Sequence, residues 1–359
     1  MKRLFQHILI IIAICGLISA VLTSCSGKKT DAVIIMLNNP GDDLFPFDDY
    51  FEVERIVDVS VQGEFKPLSN QIEYVHIAEG YAFIWDYENL TISKIDLNTG
   101  VIVSQIPTGS ENYINMKGDD EHLYLLKRFK KIIHVYDLDL KEQDTISFKF
   151  IPALSAFAKT KDGFIFLNTY NNKKKGRFIM TDDKSSKAIS FIHSSKEEIP
   201  QLLAAQGGTP KTSSRVHATM IYSGDLFMPY PNGKILCFDP ENNKAYLYDG
   251  KKMKKLFQIN TDSYNWETRA PFIIQIGSIR DNKLFVYYYN WNYYLAYYDK
   301  KYNLIAHGSY CPSHGLIIST PIWQKDGDKL ISIVVPEEET VPNDPGKTAQ
   351  AQIVIYRPK

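Results

Sequence analysis

One short phrase, His134-Val135-Tyr136-Asp137, decides the fold, because it recurs along the chain as an alternating strand that ends in Asp before a polar turn. Further copies follow at spacings of about 40 to 60 residues, with Arg replacing Asp in the last: Ser93-Lys94-Ile95-Asp96, Ile179-Met180-Thr181-Asp182, Leu236-Cys237-Phe238-Asp239, Ala296-Tyr297-Tyr298-Asp299 and Val354-Ile355-Tyr356-Arg357. Repeats of this period indicate an array of similar structural units.

Two further strand-like segments precede each copy, and a fourth follows each of the first five. In the fourth unit, for example, Thr219–Tyr222 and Leu226–Tyr230 precede Leu236–Asp239. Six units of up to four short antiparallel strands predict an all-β fold, a six-bladed β-propeller with four-stranded antiparallel blades. Two stacked β-sandwich domains are the alternative.

The sixth unit lacks a fourth strand, because the sequence stops at Lys359. A spare strand, Phe51–Val61, lies near the other end of the chain. We expect this N-terminal strand to complete the sixth blade and close the ring, which would remove an exposed sheet edge.

The first residues are typical of a secretion signal, with Lys2 and Arg3 followed by the apolar run Ile8–Leu22. A helix of that run would be about 22 Å long, short of the roughly 30 Å hydrocarbon core of a bilayer. The run closes with Leu22-Thr23-Ser24-Cys25, which resembles the lipobox of bacterial lipoproteins. That resemblance implies that Cys25 is lipidated and becomes the mature N-terminus. An ordinary signal peptide with an incidental Cys is the alternative.

The lipobox, the early strand and the repeated strand-Asp-turn together resemble the six-bladed β-propeller lipoproteins of Bacteroidota, which are similar to NHL-repeat propellers. The resemblance implies three segments: a signal peptide over 1–24, a tether over 25–50 and the propeller over 51–359. It also implies a cell-envelope location as an outer-membrane lipoprotein, facing either the periplasm or the surface. The membrane would then be one partner, reached through the lipid anchor.

Two cysteines remain in the folded part, Cys237 and Cys311. Export permits a disulfide between them. Cys237 lies in a strand-like segment, where a buried free thiol behaves as a small apolar group, so we favour two unpaired thiols.

The charge balance excludes one class of partner. The chain has 41 Lys and Arg against 41 Asp and Glu, so no excess of positive charge is available to bind the phosphates of a nucleic acid. The 44% of hydrophobic residues is also too high for a disordered chain.

Loop lengths indicate which face of the propeller binds a ligand. Turns that join the first to the second strand and the third to the fourth are short, whereas the long connections all fall on the other face. Long loops on a rigid scaffold are where binding usually occurs. The candidate ligand-binding residues are Arg215, His217, Trp266, Arg269 and His314 on those connections and Trp291 at the tip of the hairpin Tyr287–Tyr298. Residues of these types on loops are more often ordinary surface or packing residues, and that is the alternative for each.

The sequence lacks the common catalytic motifs. The sequence has no Gly-x-Ser-x-Gly elbow, no P-loop, no dinucleotide fingerprint and no Cys or His cluster with zinc-ligand spacing. We therefore expect no metal, no cofactor and no catalytic set, and we predict a binding or scaffold module for a glycan, peptide or protein. The alternative is a polysaccharide hydrolase or lyase, for which Arg215, His217, Tyr222 and Arg269 would have to converge at the channel mouth.

Overall fold

The computed structural model describes a large part of the chain. The described residues are 33–37, 40–41, 43–69, 71–109, 113–127, 131–148, 154–168, 177–182, 188–191, 197–198, 200–202, 226–230, 232–240, 243–261, 272–279, 283–289, 293–309, 322–323, 329–335 and 351–359. The chain separates into a unit Met1–Val33, of which only Val33 is described, and a unit Ile34–Lys359 that holds the β-structure. Within the described ranges, no helix has the length and apolar character needed to cross a bilayer.

The N-terminal part of the described chain packs against the propeller. It comprises the strand β1 (Val33–Leu37), the short helix α1 (Phe47–Tyr50) and the strand β2 (Phe51–Asp58). Five apolar side chains from this part are buried in the largest hydrophobic cluster: Ile35, Leu37, Phe45, Phe47 and Phe51. The predicted segment limits, 1–24, 25–50 and 51–359, stay predictions.

Blades 1 to 3 are antiparallel sheets built from consecutive strands. Blade 1 is β3 (Ile72–Ala78), β4 (Tyr81–Asp86), β5 (Thr91–Asp96) and β6 (Ile102–Pro107). Blade 2 is β7 (Tyr113–Gly118), β8 (His122–Lys127), β9 (Ile132–Asp137) and β10 (Glu142–Ser147). Blade 3 is β11 (Leu154–Thr160), β12 (Gly163–Asn168), β13 (Phe178–Asp182) and β14 (Ala188–Phe191).

Two short strands then follow, β15 (Glu197–Glu198) and β16 (Pro200–Leu202), of which β16 pairs with β14. Blade 4 is β17 (Phe227–Tyr230), β18 (Lys234–Asp239), β19 (Lys244–Tyr248) and β20 (Met253–Thr261), and both β1 and β15 pair with β20. Blade 5 is β21 (Phe272–Ile279), β22 (Lys283–Tyr289), β23 (Tyr293–Tyr298) and β24 (Leu304–Ser309). Blade 6 is β25 (Ile322–Trp323), β26 (Leu330–Val334) and β27 (Gln352–Pro358), with β2 as its outer strand.

The six sheets form the six blades of a β-propeller, which confirms the predicted fold. The innermost strands contact their neighbours in turn: β3 with β7, β7 with β11, β11 with β17, and β17 with β21. The second strands are buried along almost their whole length, as in β4 and β8, because adjacent blades pack on both of their faces.

The predicted closure of the ring is also confirmed. β2 pairs antiparallel with β27, from Phe51 opposite Pro358 to Asp58 opposite Gln352. The chain then passes to blade 1, where Ser60 donates its N–H to the carbonyl of Gly100. Gly100 has φ of +74°, and a Cβ there would lie 1.9 Å from the carbonyl oxygen of Asp58, so only glycine fits this junction.

The assignment of strands in the fourth unit is wrong. We predicted Leu226–Tyr230 as its second strand and Leu236–Asp239 as its third, but β17 contacts the innermost strands of both neighbouring blades and β18 is second. The third strand is β19, so the copy of the repeated phrase in blade 4 is Tyr246-Leu247-Tyr248-Asp249. Thr219–Tyr222, predicted as the innermost strand, lies outside the described residues.

The hydrophobic core lies in layers between blades. One cluster joins β4 and β5 to β26, β27 and β2, a second joins blades 1 and 2, a third joins blades 2 and 3, and the largest extends from blade 3 to blade 6. This arrangement explains the many aromatic residues, since each layer is filled by large rings such as Trp85, Phe164 and Tyr246.

Candidate functional site

The strand directions define two faces of the propeller. The short-turn face carries the turns from first to second and from third to fourth strands, and the long-loop face carries the remaining connections. The strands that flank the connections 262–271, 310–321 and 336–350 all end at the long-loop face.

A buried carboxylate lies on the long-loop face of blade 1, at the end of the second strand. Asp86 is 0% exposed and accepts four hydrogen bonds. Ser69 donates its backbone N–H at 2.7 Å and its hydroxyl at 2.6 Å, and Asn89 donates its backbone N–H and its side-chain amide, both at 2.9 Å. Asp86 therefore fixes the crossing segment 61–69, which leads from β2 to β3, against the turn 87–90.

The same position in blade 4 also holds a buried carboxylate. Asp239 ends the second strand β18, is 0% exposed, and pairs with the guanidinium of Arg177 at 2.8 and 2.9 Å. Arg177 directly precedes β13, so this ion pair joins blade 3 to blade 4 at the long-loop face.

An open cavity of 360 Å³ lies on the long-loop face of blade 1, and we call it the blade-1 cavity. Its wall comes from the crossing segment, from the turn 87–90 with the start of β5, and from the end of β6: Glu64, Lys66, Asn89, Leu90, Thr91, Gln105, Pro107 and Gly109. Its volume falls within the range of roughly 300 to 1,000 Å³ typical of small-molecule sites.

The wall of the blade-1 cavity is held by hydrogen bonds. Gln105 accepts the backbone N–H of Lys66 at 2.9 Å and donates to the carbonyl of Lys66 at 3.1 Å and to the hydroxyl of Ser93 at 2.9 Å. Asn89 donates to the carbonyl of Pro67 at 2.8 Å as well as to Asp86. A ligand would therefore meet a site whose backbone is already ordered.

The wall also includes three polar groups, of which two are exposed and one is buried. Glu64 and Lys66 are exposed and supply one negative and one positive charge. Thr91 is 6% exposed, and its hydroxyl has no hydrogen-bond partner among the described residues. A buried hydroxyl of this kind is normally satisfied by protein, water or ligand.

All eight candidate site residues named from the sequence lie outside the described residues: Cys25, Arg215, His217, Tyr222, Trp266, Arg269, Trp291 and His314. The convergence required for an enzyme at the channel mouth therefore stays untested, and these residues stay predictions. Cys311 also lies outside the described residues, whereas Cys237 is a buried free thiol whose pKa burial raises well above its usual value.

The described residues offer limited chemistry at the blade-1 cavity. Glu64 is the one carboxylate in its described wall, whereas most glycoside hydrolases use a pair of carboxylates. Within the described ranges, no group of three or more His, Cys, Asp or Glu side chains is placed to hold a metal ion. The arrangement is suited to binding a polar molecule.

The sequence did not indicate the blade-1 cavity. Its wall depends on where the crossing segment 61–69 lies, and that segment contains no motif. The turn Asp86-Tyr87-Glu88-Asn89 was a usable signal, because Asp and Asn at this spacing favour side-chain-to-backbone hydrogen bonds.

Comparison with known proteins supports the fold. A protein of Bacteroides fragilis NCTC 9343 described as exported is similar in structure, with a TM-score of 0.57 and 11% identity over 91% of this chain and 100% of its own. A DUF4221 family member from Bacteroides vulgatus has a TM-score of 0.54 and 10% identity over 86% of this chain and 99% of its own. Virginiamycin B lyase from Staphylococcus aureus is more distant, with a TM-score of 0.46 and 9% identity over 86% of this chain and 99% of its own.

No protein-family model and no curated protein matches the chain. At these identities the structural likenesses show the fold alone.

Proposed function

We propose that the chain is an exported, lipid-anchored β-propeller that binds a glycan, peptide or protein partner through its long-loop face, with the blade-1 cavity as one contact site. The observation that carries this proposal is the cavity itself: an open volume of 360 Å³ whose wall is ordered by Asp86, Asn89 and Gln105. The exposed charges of Glu64 and Lys66 and the hydroxyl of Thr91 favour a polar ligand.

Export and anchoring are supported by separate observations. The sequence provides the apolar run Ile8–Leu22 and the lipobox-like Leu22–Cys25. A protein of similar fold is described as exported. The location that follows is the cell envelope, with Cys25 carrying the lipid of an outer-membrane lipoprotein.

A glycan and peptide array probed with residues 26–359 tests the binding role. Thr91→Val and Lys66→Ala each remove one polar contact and should weaken a retained ligand about tenfold, the effect of roughly 1.4 kcal/mol. Arg215→Ala and Trp266→Ala extend the test to the long connections.

Lys300→Ala is the matched control for this experiment, because Lys300 is exposed on the short-turn face. Binding of no ligand class contradicts the binding role. Equal loss in Lys300→Ala and Lys66→Ala contradicts the assignment to the long-loop face.

A further inference from the structure

The strand β1 carries apolar side chains on both of its sides. Ile35 and Leu37 are buried, 2% and 4% exposed, and pack into the core. Ile34 and Met36 point the other way and are 60% and 43% exposed. A strand that packs on one side and meets water on the other normally has polar residues on its outer side, so the outer side of β1 requires an explanation.

A second pair of exposed apolar residues lies beside β1. The hydroxyl of Tyr298 donates to the backbone carbonyl of Met36 at 3.4 Å, and Tyr298 pairs with Leu304 across β23 and β24. Leu304 and Ile305 are 52% and 39% exposed. We call these four residues, Ile34, Met36, Leu304 and Ile305, the rim patch.

The rim patch lies at the edge of the short-turn face. The turn that precedes Leu304 joins the third strand of blade 5 to the fourth, and it carries the exposed residues Lys300 and Lys301. Blade 1, with its cavity on the long-loop face, lies across the six-bladed ring from blade 4, to which β1 is added.

We propose that the rim patch lies against a lipid surface. This proposal rests on the proposed anchor at Cys25. Eight residues lie between Cys25 and Ile34, and an extended chain spans at most about 3.6 Å per residue, so the start of β1 stays within about 30 Å of the membrane. Apolar residues flanked by lysines are the composition of surfaces that sit at the boundary between headgroups and acyl chains.

The membrane is favoured over a second copy of the chain as the occupant. An anchored chain holds β1 near lipid permanently, whereas an encounter with another copy depends on concentration. The sequence between Cys25 and β1 contains two more cations, Lys28 and Lys29. The apolar area contributed by the patch would then add to the binding supplied by the acyl chains.

This contact would orient the propeller. With the edge of the short-turn face at the lipid, the long-loop face is directed away from the membrane toward water. The blade-1 cavity would then be open to a ligand in the aqueous phase while the protein is anchored.

An environment-sensitive fluorophore tests the contact in the full-length lipidated protein reconstituted in vesicles that contain brominated lipid. The labelled variants are Met36→Cys and Leu304→Cys, with Val103→Cys as the matched control, all in a Cys311→Ser background. Val103 is 45% exposed on the outer strand β6 of blade 1, and Cys237 is 0% exposed and so protected from the label. We expect a blue shift and quenching at positions 36 and 304, strengthened by adding anionic lipid, and neither effect at position 103.

Several results would overturn the contact. One is unquenched label at positions 36 and 304 while the protein floats with the vesicles. Another is equal quenching at all three positions, which would mean that no side is preferred. A third is a blue shift at position 36 that grows with protein concentration in lipid-free micelles, which would assign the patch to a second copy. Ligand binding on the array is measured without lipid, so failure here leaves the binding role standing.

Discussion

The two faces of the propeller use aspartate in opposite ways. On the short-turn face, an exposed or half-buried Asp follows the third strand and accepts backbone N–H groups from its own turn, as Asp137 does from Asp139 and Lys141. On the long-loop face, Asp86 and Asp239 end the second strand, are fully buried, and each bind a residue from another segment. The first kind forms a turn, and the second joins parts of the chain that are distant in sequence.

This difference bears on where a ligand can bind. On the short-turn face, Asp137 and Asp249 accept hydrogen bonds from their own turns, and contacts between segments there, such as Lys94 with Asp139, involve exposed carboxylates. The long-loop face is held by contacts between segments, which leave the blade-1 cavity between them. The predictions below separate the two kinds of aspartate by the size of their effect on stability.

The largest expected effect is at the buried ion pair. Arg177→Ala leaves the fully buried carboxylate of Asp239 without its guanidinium and should lower the free energy of unfolding by about 3 to 5 kcal/mol. Urea denaturation measures this loss of free energy. Arg357→Ala is the control, because its pair with Glu52 is largely exposed and should contribute no more than about 1 kcal/mol.

The double variant Arg177→Met with Asp239→Leu removes both buried charges and should recover most of that stability. If Arg177→Ala cost no more than Arg357→Ala, the ion pair would not be what joins blades 3 and 4.

A smaller loss is expected at Asp86, whose partners are neutral. Asp86→Ala leaves the N–H groups of Ser69 and Asn89 without their acceptor and should cost about 2 kcal/mol. It should also release the crossing segment and weaken any ligand of the blade-1 cavity. Glu88→Ala, in the same turn but exposed, should change neither quantity. Unaltered ligand affinity in a folded Asp86→Ala protein would remove the cavity from the proposed site.

The smallest effect is expected at a turn of the short-turn face. Burial of Asp249 acts to raise its pKa, but hydrogen bonds from the N–H groups of Lys252 and Lys251 outweigh it, and the pKa is lowered. Its stabilising contribution is therefore present above the ordinary pKa of 3.8 and is lost as the pH falls through the lowered value. Asp249→Asn should cost less than about 1 kcal/mol at neutral pH, with the difference from the native chain vanishing in acid.

The protonation of His307 should make stability depend on pH in a second pH range. Burial lowers the pKa of His307 from 6.5 to about 4, so the unfolded chain takes up the proton first and stability falls as the pH drops from 6.5 toward 4. His307→Gln should flatten this window and leave the acid behaviour of Asp249 unchanged. A His307→Gln protein that keeps the full slope would show that another group titrates there.

The architecture could be predicted from the sequence because the repeat, the strand alternation and the spare strand Phe51–Val61 are local patterns. The strand assignment within blade 4 could not be predicted, because Leu236–Asp239 and Tyr246–Asp249 are equally good copies of the repeated phrase. Only the pairing shows that Asp239 ends a second strand and Asp249 follows a third. The burial of Asp239 depends on Arg177, which lies 62 residues away in the chain.

The blade-1 cavity was unpredictable for the same physical reason. Gln105 and Lys66 meet because the crossing segment passes over the outer strands of blade 1, and no periodicity in the sequence reports that path. The predicted ligand residues on the long connections rest on topology alone and stay predictions.

Hydrogen exchange of the mature chain, with and without a ligand retained on the array, tests the binding role of the long-loop face most directly. We predict protection in peptides that cover 61–69, 87–91 and 105–109, with exchange unchanged in the short turns 79–80, 97–101 and 138–141. Protection confined to those short turns would contradict the account.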